Sequence, residues 1–320
     1  MRALFYLGPR KLEMREIAEP NGDVVIRVID AGICGTDLKT YLKGHPMFKP
    51  PIILGHECYG KVVALNNYSG SLKLGSLVAI APYAECGECD ECKRGTPELC
   101  KNKTYVETGC FTQQISLSKE HASKALFEID DDFVQILAEP LACVLNGFQK
   151  LVPKPRNLLI VGGGPMGVLF ALLGISEGCD VFVVEKSDWR IQHIRSMGIN
   201  VGYEPPESTF DGVVLAVNIP ELVKLYMPYT NDGGNLLLFS GFPKSSNIEI
   251  DPYAVHYREV NIIGSFGFGI KHFKKAVEIL ASKPELFSKL ITHTFPLEKA
   301  QEAFDLLEEK KAMKIVLGCE

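Results

Sequence analysis

The chain has 320 residues and a mass of 35.3 kDa, which is enough to bury a full core and to form two domains. Hydrophobic residues make up 46% and charged residues 23%, and no apolar run approaches the roughly 20 residues of a membrane-spanning helix. The 34 Lys and Arg against 39 Asp and Glu give a net charge of -5 without a basic block. Neither nucleic acid nor a membrane is therefore an expected partner.

The first residues, Met1–Gly8, contain too short an apolar core for a signal peptide, so we expect a cytoplasmic protein. The chain carries ten cysteines. In the reducing cytoplasm, that number favours metal binding or catalysis over disulfide bonds.

Residues 1–143 predict a mostly antiparallel, barrel-like domain. The β-branched runs Val24–Ile29, Gly60–Leu65 and Leu77–Ala81 are bounded by turn residues, and no amphipathic helix separates them. Two segments interrupt these strands and carry the residues of chemical interest.

The first of these segments, Ala31–Asp37, reads as a glycine-rich loop. Cys34 is followed by the hydroxyl of Thr36 and the carboxylate of Asp37. A single cysteine among glycines is often a small buried side chain. This arrangement also fits a thiolate metal ligand, a hydroxyl that passes protons and a carboxylate that orients a ligand.

Two further sites place acidic residues beside apolar runs. His56 and Glu57 follow Ile53–Leu54 directly and are candidates for holding a metal ion. Glu139 lies inside the run Ile136–Cys143, where an unpaired carboxylate is costly to bury. It is expected either to cap a helix or to belong to a charged site.

The second segment, residues 86–100, contains four cysteines in the spacing C-x2-C-x2-C-x7-C, and we call it the four-cysteine lobe. Its cysteines are Cys86, Cys89, Cys92 and Cys100. Four thiolates close a tetrahedral shell and leave no position for substrate, which predicts a structural zinc site. An iron–sulfur site and four unrelated thiols are the alternatives. We also expect the nearby basic residues to offset the charge of the thiolates; these are Lys93, Arg94, Lys101 and Lys103.

Residues 144–265 alternate between apolar strands and helices, which predicts a doubly wound parallel sheet. The buried strand Leu158–Val161 runs into a G-x-G-x-x-G sequence and a helix, and Glu185 closes the next strand. Such a turn brings the backbone close to a pyrophosphate at the helix N-terminus. An acid in that place accepts hydrogen bonds from ribose hydroxyls, which favours NAD over NADP, although the cations Lys186 and Arg190 lie nearby. The predicted cofactor-binding residues are Gly162, Gly164, Pro165, Met166, Gly167, Glu185 and Arg190.

Residues 266–320 predict two amphipathic helices and a closing strand, Lys314–Leu317. The segment offers apolar stripes but no catalytic motif, so it is expected to pack back onto the first domain. His272 and His293 are interpreted as packing or surface residues.

Taken together, these motifs resemble those of the zinc-dependent medium-chain dehydrogenase/reductases, in the branch of sorbitol, other polyol and L-threonine dehydrogenases. The resemblance covers nearly the whole chain. It rests on Cys34–Asp37, Gly55–Glu57, the four-cysteine lobe, Glu139–Leu141, Gly162–Gly167, Arg258–Val260 and Phe295–Ala300.

The resemblance implies a GroES-like catalytic domain, split in sequence, around an inserted Rossmann domain. It makes Cys34 and His56 ligands of a catalytic zinc ion, with Glu57 and Glu139 either on the ion or just behind its ligands. Thr36 stands at the position of the proton-relay hydroxyl, and Asp37 at that of the carboxylate that orients the ligand histidine.

The implied activity is hydride transfer between NAD and a secondary alcohol or ketone of a polyol, sugar derivative or hydroxy-amino acid. Two zinc ions per chain and a homo-oligomer, dimer or tetramer, are also implied.

The sequence departs from the family pattern in two places. Lys39 stands where many relatives place a histidine at the end of the proton relay, and His45 is a possible substitute. Ser265–Phe268 lacks the arginine of sorbitol dehydrogenases. Two other readings are a zinc-free reductase of the quinone or enoyl type and a non-catalytic zinc module. Cys34, His56 and Glu139 argue against the first, and the dinucleotide motif argues against the second.

Overall fold

The computed structural model describes residues 1–130 and 133–320, which form two compact units. The split unit comprises Met1–Ala142 and Gly269–Glu320, and the continuous unit comprises Cys143–Phe268. The chain therefore leaves the first unit once and returns to it. None of the helices in the described ranges is both long and apolar enough to cross a membrane.

The split unit is built mainly from antiparallel strands. Its strands are β1 (Arg2–Gly8), β2 (Lys11–Glu16), β3 (Val24–Gly32), β4 (Ile52–Ile53), β5 (Glu57–Leu65), β6 (Leu77–Ile80), β7 (Tyr83–Ala84), β8 (Thr104–Tyr105), β9 (Gln114–Leu117), β10 (Leu126–Glu128), β17 (Ile291–Pro296) and β18 (Lys314–Gly318). Its helices are α1 (Gly35–Lys43), α2 (Asp90–Lys93), α3 (Lys119–Ala125), α9 (Ile270–Ser282), α10 (Pro284–Ser288) and α11 (Ala300–Glu308), while α4 (Ala138–Phe148) continues into the second unit. Short 3-10 turns cover Pro97–Leu99, Phe133–Leu137 and Leu297–Lys299.

The main sheet of the split unit runs in the order β10-β6-β5-β3-β18-β17, with β9 also paired to β3. Its pairs are antiparallel except for β17 and β18. Among the described residues the strand order runs from β10 to β17, and these two end strands do not pair with each other. The sheet is therefore barrel-like, as predicted, but it is not a closed barrel. The closing strand β18 lies beside β3, and this neighbourhood brings the end of the chain next to the Cys34 segment.

The continuous unit is a parallel α/β sheet in the order β13-β12-β11-β14-β15-β16. The strands are β11 (Asn157–Val161), β12 (Asp180–Val184), β13 (Asn200–Gly202), β14 (Phe210–Leu215), β15 (Thr230–Leu238) and β16 (Asn261–Gly264). The connecting helices are α5 (Pro165–Ser176), α6 (Asp188–Ser196), α7 (Glu221–Tyr226) and α8 (Pro252–Tyr257), with a 3-10 turn at Met227–Tyr229. This order places the doubly wound switch point between β11 and β14, as the alternating pattern predicts.

Apolar strand residues form the core of each unit because both faces of the central strands are covered. In the continuous unit, Leu159, Val213 and Leu236 are fully buried on neighbouring strands. Helix α5 is buried along Gly167–Gly174, which explains its nearly continuous apolar sequence. The glycine-rich turn is thereby held between a buried strand and a buried helix.

Candidate metal centres and cofactor site

The segment that carries Cys34 was predicted to be a loop, but it comprises the end of a strand and the start of a helix. Strand β3 ends at Gly32 and α1 begins at Gly35, so Thr36 and Asp37 lie in the first helical turn. The Asp37 carboxylate accepts the Cys34 N–H at 3.0 Å, which satisfies a backbone donor at the start of the helix.

Asp37 also connects this segment to the one that carries His56. Its second oxygen accepts the Gly55 N–H at 3.3 Å and lies 3.6 Å from His56 Nδ1. The side chain is 1% exposed, so its contacts are made away from solvent. Partial burial of His56 disfavours the imidazolium, but the charges of Asp37 and Cys34 outweigh it and raise the pKa of His56 well above its ordinary value. Asp37 therefore fixes the spacing of the two candidate ligands.

The structure brings together three residues that were predicted to lie in one metal site. A ligand atom from each of Cys34, His56 and Glu57 lies within 4.8 Å of the other two. A thiolate sulfur, an imidazole nitrogen and a carboxylate oxygen are the donors that zinc accepts, and a site with three protein ligands keeps a position for substrate. This donor set fits the zinc ion that the resemblance implies.

The partner of Glu57 was not foreseen from the sequence. Lys314, at the start of β18, donates to both Glu57 oxygens, at 2.8 and 2.6 Å. The two side chains are 2% and 0% exposed. Burial lowers the pKa of Lys314, but the Glu57 carboxylate beside it outweighs that effect and raises it. The available signal was a charged residue directly before the apolar run of the closing strand, since a charged group buried with such a run needs a partner.

Glu139 lies in the first turn of α4 and is half-buried. It is close enough to Lys314 for its charge to contribute to the raised pKa of that lysine. Thr36 is half-buried and its carbonyl accepts the Thr40 hydroxyl at 2.8 Å. Lys39 is exposed.

The four cysteines of the lobe converge as their spacing predicts. The Cys89 sulfur lies 3.5 Å from Cys92 and 3.7 Å from Cys100, and Cys86 lies 3.6 Å from Cys100 and 4.0 Å from Cys92. Zn–S bonds of about 2.3 Å in a tetrahedron separate the sulfurs by roughly 3.8 Å. The N–H groups of Glu88 and Cys89 point at the Cys86 sulfur and lower its pKa to about 7. The lobe therefore fits a closed zinc site.

Three of the four basic residues around the lobe have partners other than the sulfurs. Lys101 and Arg94 lie 3.0 and 4.0 Å from Glu91, whose pKa falls to about 2 because of the Lys101 hydrogen bond. Lys103 stands over the Tyr83 ring at 4.2 Å. The negative charge of the Cys86 thiolate is therefore offset by backbone N–H groups that point at its sulfur, in addition to the nearby basic side chains.

The glycine-rich turn of the continuous unit has the geometry that a dinucleotide motif requires. Gly162 adopts a φ of 104°, a conformation that glycine alone reaches without strain. A Cβ on Gly167 would lie 1.9 Å from the Gly162 carbonyl, so only glycine lets α5 pack this closely. Gly164 precedes Pro165, the first residue of α5, and a Cβ there would approach only Arg190, at 3.7 Å from Nη1. The turn is an open cradle with a guanidinium beside it.

Glu185 follows β12 and is already engaged with the backbone. Its carboxylate accepts the N–H groups of Gly163, Lys186 and Ser187, at 2.9, 2.7 and 2.9 Å. Arg190 lies 3.7 Å away, and its Nε is buried without a hydrogen-bond partner. These contacts hold the acid against the glycine-rich turn. Lys186 instead extends to Glu204, at 2.5 Å.

Two family models together match most of the chain. Residues 20–127 match the alcohol dehydrogenase GroES-like domain, and residues 134–318 match the glucose dehydrogenase C-terminus. The chain belongs to the zinc-type medium-chain alcohol dehydrogenase family. This family is zinc-dependent and binds NAD or NADP, and both donor clusters described above are present in this member.

Curated relatives of this medium-chain dehydrogenase align over nearly their full length. D-arabinitol dehydrogenase 1 of Uromyces fabae is 29% identical over 343 residues, covering 99% of this chain and 97% of that protein. D-altritol 5-dehydrogenase of Agrobacterium fabrum is 29% identical over 297 residues, covering 88% and 87%. The crystal structure of 2R,3R-butanediol dehydrogenase from Bacillus subtilis shares the fold with a TM-score of 0.87 at 22% identity, covering 100% and 99%.

Proposed function

We propose that this protein is a zinc- and NAD-dependent dehydrogenase that interconverts a secondary alcohol and a ketone. The substrate class is a polyol, a sugar derivative or a hydroxy-amino acid. The observation that carries the proposal is the convergence of Cys34, His56 and Glu57 within 4.8 Å in a chain of this family. A zinc-free reductase has no use for that donor set.

Cys34 and His56 would hold the catalytic zinc, with Glu57 and Glu139 either on the ion or just behind its ligands. When bound, zinc polarises the alcohol oxygen of the substrate and lowers its pKa toward neutrality. Asp37 keeps the His56 ring and the Cys34 backbone in place through the contacts described above. Thr36, in the first turn of α1, would accept the proton that leaves the substrate hydroxyl and pass it outward.

The continuous unit would bind the dinucleotide at its glycine-rich turn. The N-terminus of α5 and the open cradle at Gly164 suit a pyrophosphate, because unpaired N–H groups and the helix dipole favour an anion. Pro165 and Met166 form the start of that helix, and Arg190 contributes a cation beside it. The cofactor supplies the hydride chemistry, and the chain supplies its position.

The acid at Glu185 supports NAD over NADP. A carboxylate held against the turn repels the 2′-phosphate of NADP and accepts hydrogen bonds from a free ribose. Lys186, which could have attracted that phosphate, is paired with Glu204. Arg190 is a second cation close to Glu185, at 3.7 Å from its carboxylate.

A second zinc ion, held by Cys86, Cys89, Cys92 and Cys100, would be structural. The mutual sulfur distances of 3.5 to 4.0 Å support a closed tetrahedral site. We further propose that the protein acts in the cytoplasm as a homo-oligomer on a small-molecule substrate.

The test is a screen for NAD reduction across polyols, inositols, sugar phosphates, threonine and simple secondary alcohols, with zinc content measured on the same sample. We expect turnover with at least one substrate of the first classes, and a higher kcat/KM for NAD than for NADP. A clear preference for NADP would overturn the role of Glu185. Absence of turnover across the screen by a fully zinc-loaded protein would contradict the proposed substrate class.

A further inference from the structure

A polar cavity lies at the edge of the parallel sheet opposite the glycine-rich turn. Because the strands are parallel, their amino ends meet at one edge of the sheet and their carboxyl ends at the other. The cavity measures about 510 Å³, a volume that suits a small molecule. The glycine-rich turn follows the carboxyl end of β11, so the length of that five-residue strand, roughly 16 Å, separates it from the cavity. The lining residues are Arg156, Thr209, Asp211, Asn231, Asp232 and Arg258.

Arg156, which directly precedes β11, brings unused hydrogen-bond donors to this cavity. Its main-chain N–H and its Nε both donate to Asp211 Oδ2, at 3.0 and 3.1 Å. Asn231 Nδ2 donates to the other oxygen of Asp211, at 2.8 Å. Burial disfavours the charged carboxylate, but the hydrogen bonds from Arg156 outweigh it and lower the pKa of Asp211. The carboxylate is thus satisfied, while neither Nη group of Arg156 has an acceptor in the described part of the chain.

Arg258, which lies before β16, supplies a second guanidinium to the cavity wall. Its Nε donates to Asp232 at 2.7 Å, and its Nη2 donates to the Thr230 carbonyl. Its own carbonyl accepts the Gly233 N–H at 2.7 Å, and the next residue, Glu259, has a φ of 51°, a conformation that residues with a Cβ rarely adopt. These contacts fix the backbone and the side chain of Arg258 in place. Among the described residues, its Nη1 has no acceptor.

The hydrogen-bonding capacity that remains for a ligand belongs mainly to donors. Both oxygens of Asp211 are occupied, whereas two Nη groups of Arg156 and one of Arg258 are free. The guanidinium group is planar and always charged, and it pairs with the oxygens of carboxylates and phosphates through parallel hydrogen bonds. The chemistry that fits this cavity is therefore an oxyanion.

A second cavity, of about 260 Å³, adjoins the first at Thr209, which lines both. Its walls include Pro228 and Tyr229, whose rings offer flat apolar surface, and the exposed Glu207. A carboxylate at Glu207 repels an anion, so the anionic end of a ligand is favoured in the first cavity. The second cavity then has room for a compact ring.

We propose that the two cavities form a binding site for a small molecule that carries a phosphate or a carboxylate on a compact ring. Arg156 and Arg258 hold the oxyanion, and Pro228 and Tyr229 contact the ring. Because the site lies at the edge of the sheet opposite the glycine-rich turn, its ligand binds together with NAD and not in its place. The inference depends neither on the alcohol substrate nor on either metal site.

Hydrogen exchange followed by mass spectrometry locates the ligand on the zinc-loaded enzyme saturated with NAD. Phenyl phosphate and phenylacetate are the probes, and inorganic phosphate reports the anion alone. We expect at least one ring-bearing probe to slow exchange at residues 207–211 and 229–232, with a lower half-saturating concentration than inorganic phosphate. Protection by only one of the two probes identifies the phosphate or the carboxylate as the group that is recognised.

Two variants test the role of the arginines. Arg156→Gln removes both free Nη groups from a side chain that is 88% exposed, so the fold should be retained. Because charge-assisted hydrogen bonds to the oxyanion are lost, the half-saturating concentration should rise about tenfold or more. Arg258→Gln should have the same effect. Arg195→Gln, at an exposed position of α6 in the same unit, is the matched control and should behave like the wild type.

Two results would overturn the inference. One is unchanged exchange at residues 207–211 and 229–232 with all three probes. The other is an equal half-saturating concentration in the wild type, Arg156→Gln and Arg195→Gln.

Discussion

Asp37 is the residue that sets the spacing between Cys34 and His56. Its carboxylate accepts the N–H groups of Cys34 and Gly55 and lies beside the His56 ring. Asp37→Ala leaves two partly buried N–H groups without an acceptor, so we expect zinc affinity to fall about 10- to 100-fold. The free energy of unfolding should fall by about 1–3 kcal/mol.

Chelator competition and urea unfolding measure the two effects. Asp180→Ala, at an exposed position that begins β12, is the control and should change neither. Equal zinc affinity in Asp37→Ala and the control would refute the orienting role of Asp37.

His121 predicts a pH dependence of stability that is unrelated to the metal sites. The ring is fully buried between the Thr104 hydroxyl, at 2.9 Å, and the Ala81 carbonyl, at 3.0 Å. Burial disfavours the imidazolium and lowers the pKa of His121 below 6.5. Below about pH 6.5 the unfolded chain therefore binds more protons than the folded chain, and stability falls as pH falls.

The size of this effect is limited to about 1.4 kcal/mol per pH unit for one group. We expect the free energy of unfolding of the wild type to decrease from pH 7 to pH 5.5 more steeply than that of His121→Gln. The exposed His256→Gln should retain the wild-type slope. Parallel slopes for all three proteins would exclude His121 as the source.

At the residue scale, local sequence identified ligand types but not their distant partners. Cys34, His56 and Asp37 were recognisable because each stands in a short motif. Lys314 was not, because its meeting with Glu57 depends on β18 lying beside β3. Glu185 was expected to face a ribose, while its contacts to the backbone N–H groups depend on the turn geometry.

At the scale of elements, the residue directly before the four-cysteine lobe supports the helix with which the chain re-enters the split unit. Glu85 immediately precedes Cys86, and its carboxylate accepts the Ile270 N–H at 3.0 and 3.3 Å, at the first residue of α9. A carboxylate at this position satisfies an unpaired donor and interacts favourably with the helix dipole. The residue directly before the lobe is thereby connected to the start of α9.

Glu85→Ala should therefore loosen the first turn of α9. We expect its amide hydrogens to exchange about 5- to 30-fold faster, which corresponds to the roughly 1–2 kcal/mol of a lost cap. Hydrogen exchange followed by mass spectrometry measures this. Glu88→Ala changes an exposed residue within the four-cysteine lobe and should leave α9 unaffected. Equal exchange in both variants would contradict the support of α9 by Glu85.

The period-2 and strand–helix patterns predicted most elements, but not all of their boundaries. The run 158–161 lies within β11, and the predicted closing strand corresponds to β18. Helix α1 was missed, because Gly35 and Thr36 have low helix propensity and the helix is stabilised by the Asp37 contact to Cys34. The open order of the main sheet follows from long-range pairing that no local pattern encodes.

At the scale of the whole molecule, the two donor clusters and the glycine-rich turn lie in different units of the chain. The split unit carries both donor clusters, and the continuous unit carries the glycine-rich turn. The spacing of the four cysteines predicted a closed site, whereas the open site at Cys34 and His56 was implied by the family resemblance. The chemistry of the substrate pocket was not predictable, because substrate recognition depends on side-chain placement at sub-ångström precision.

The most direct measurement of the central claim is zinc content and NAD reduction on the same samples of wild type, Cys34→Ser and Cys86→Ser. We expect two zinc ions in the wild type. Cys34→Ser should retain one ion, show no turnover and keep near-wild-type thermal stability. Cys86→Ser should lose the other ion and melt at a markedly lower temperature. Turnover by Cys34→Ser at the wild-type rate, or equal losses of stability in the two variants, would contradict a catalytic site separate from a structural one.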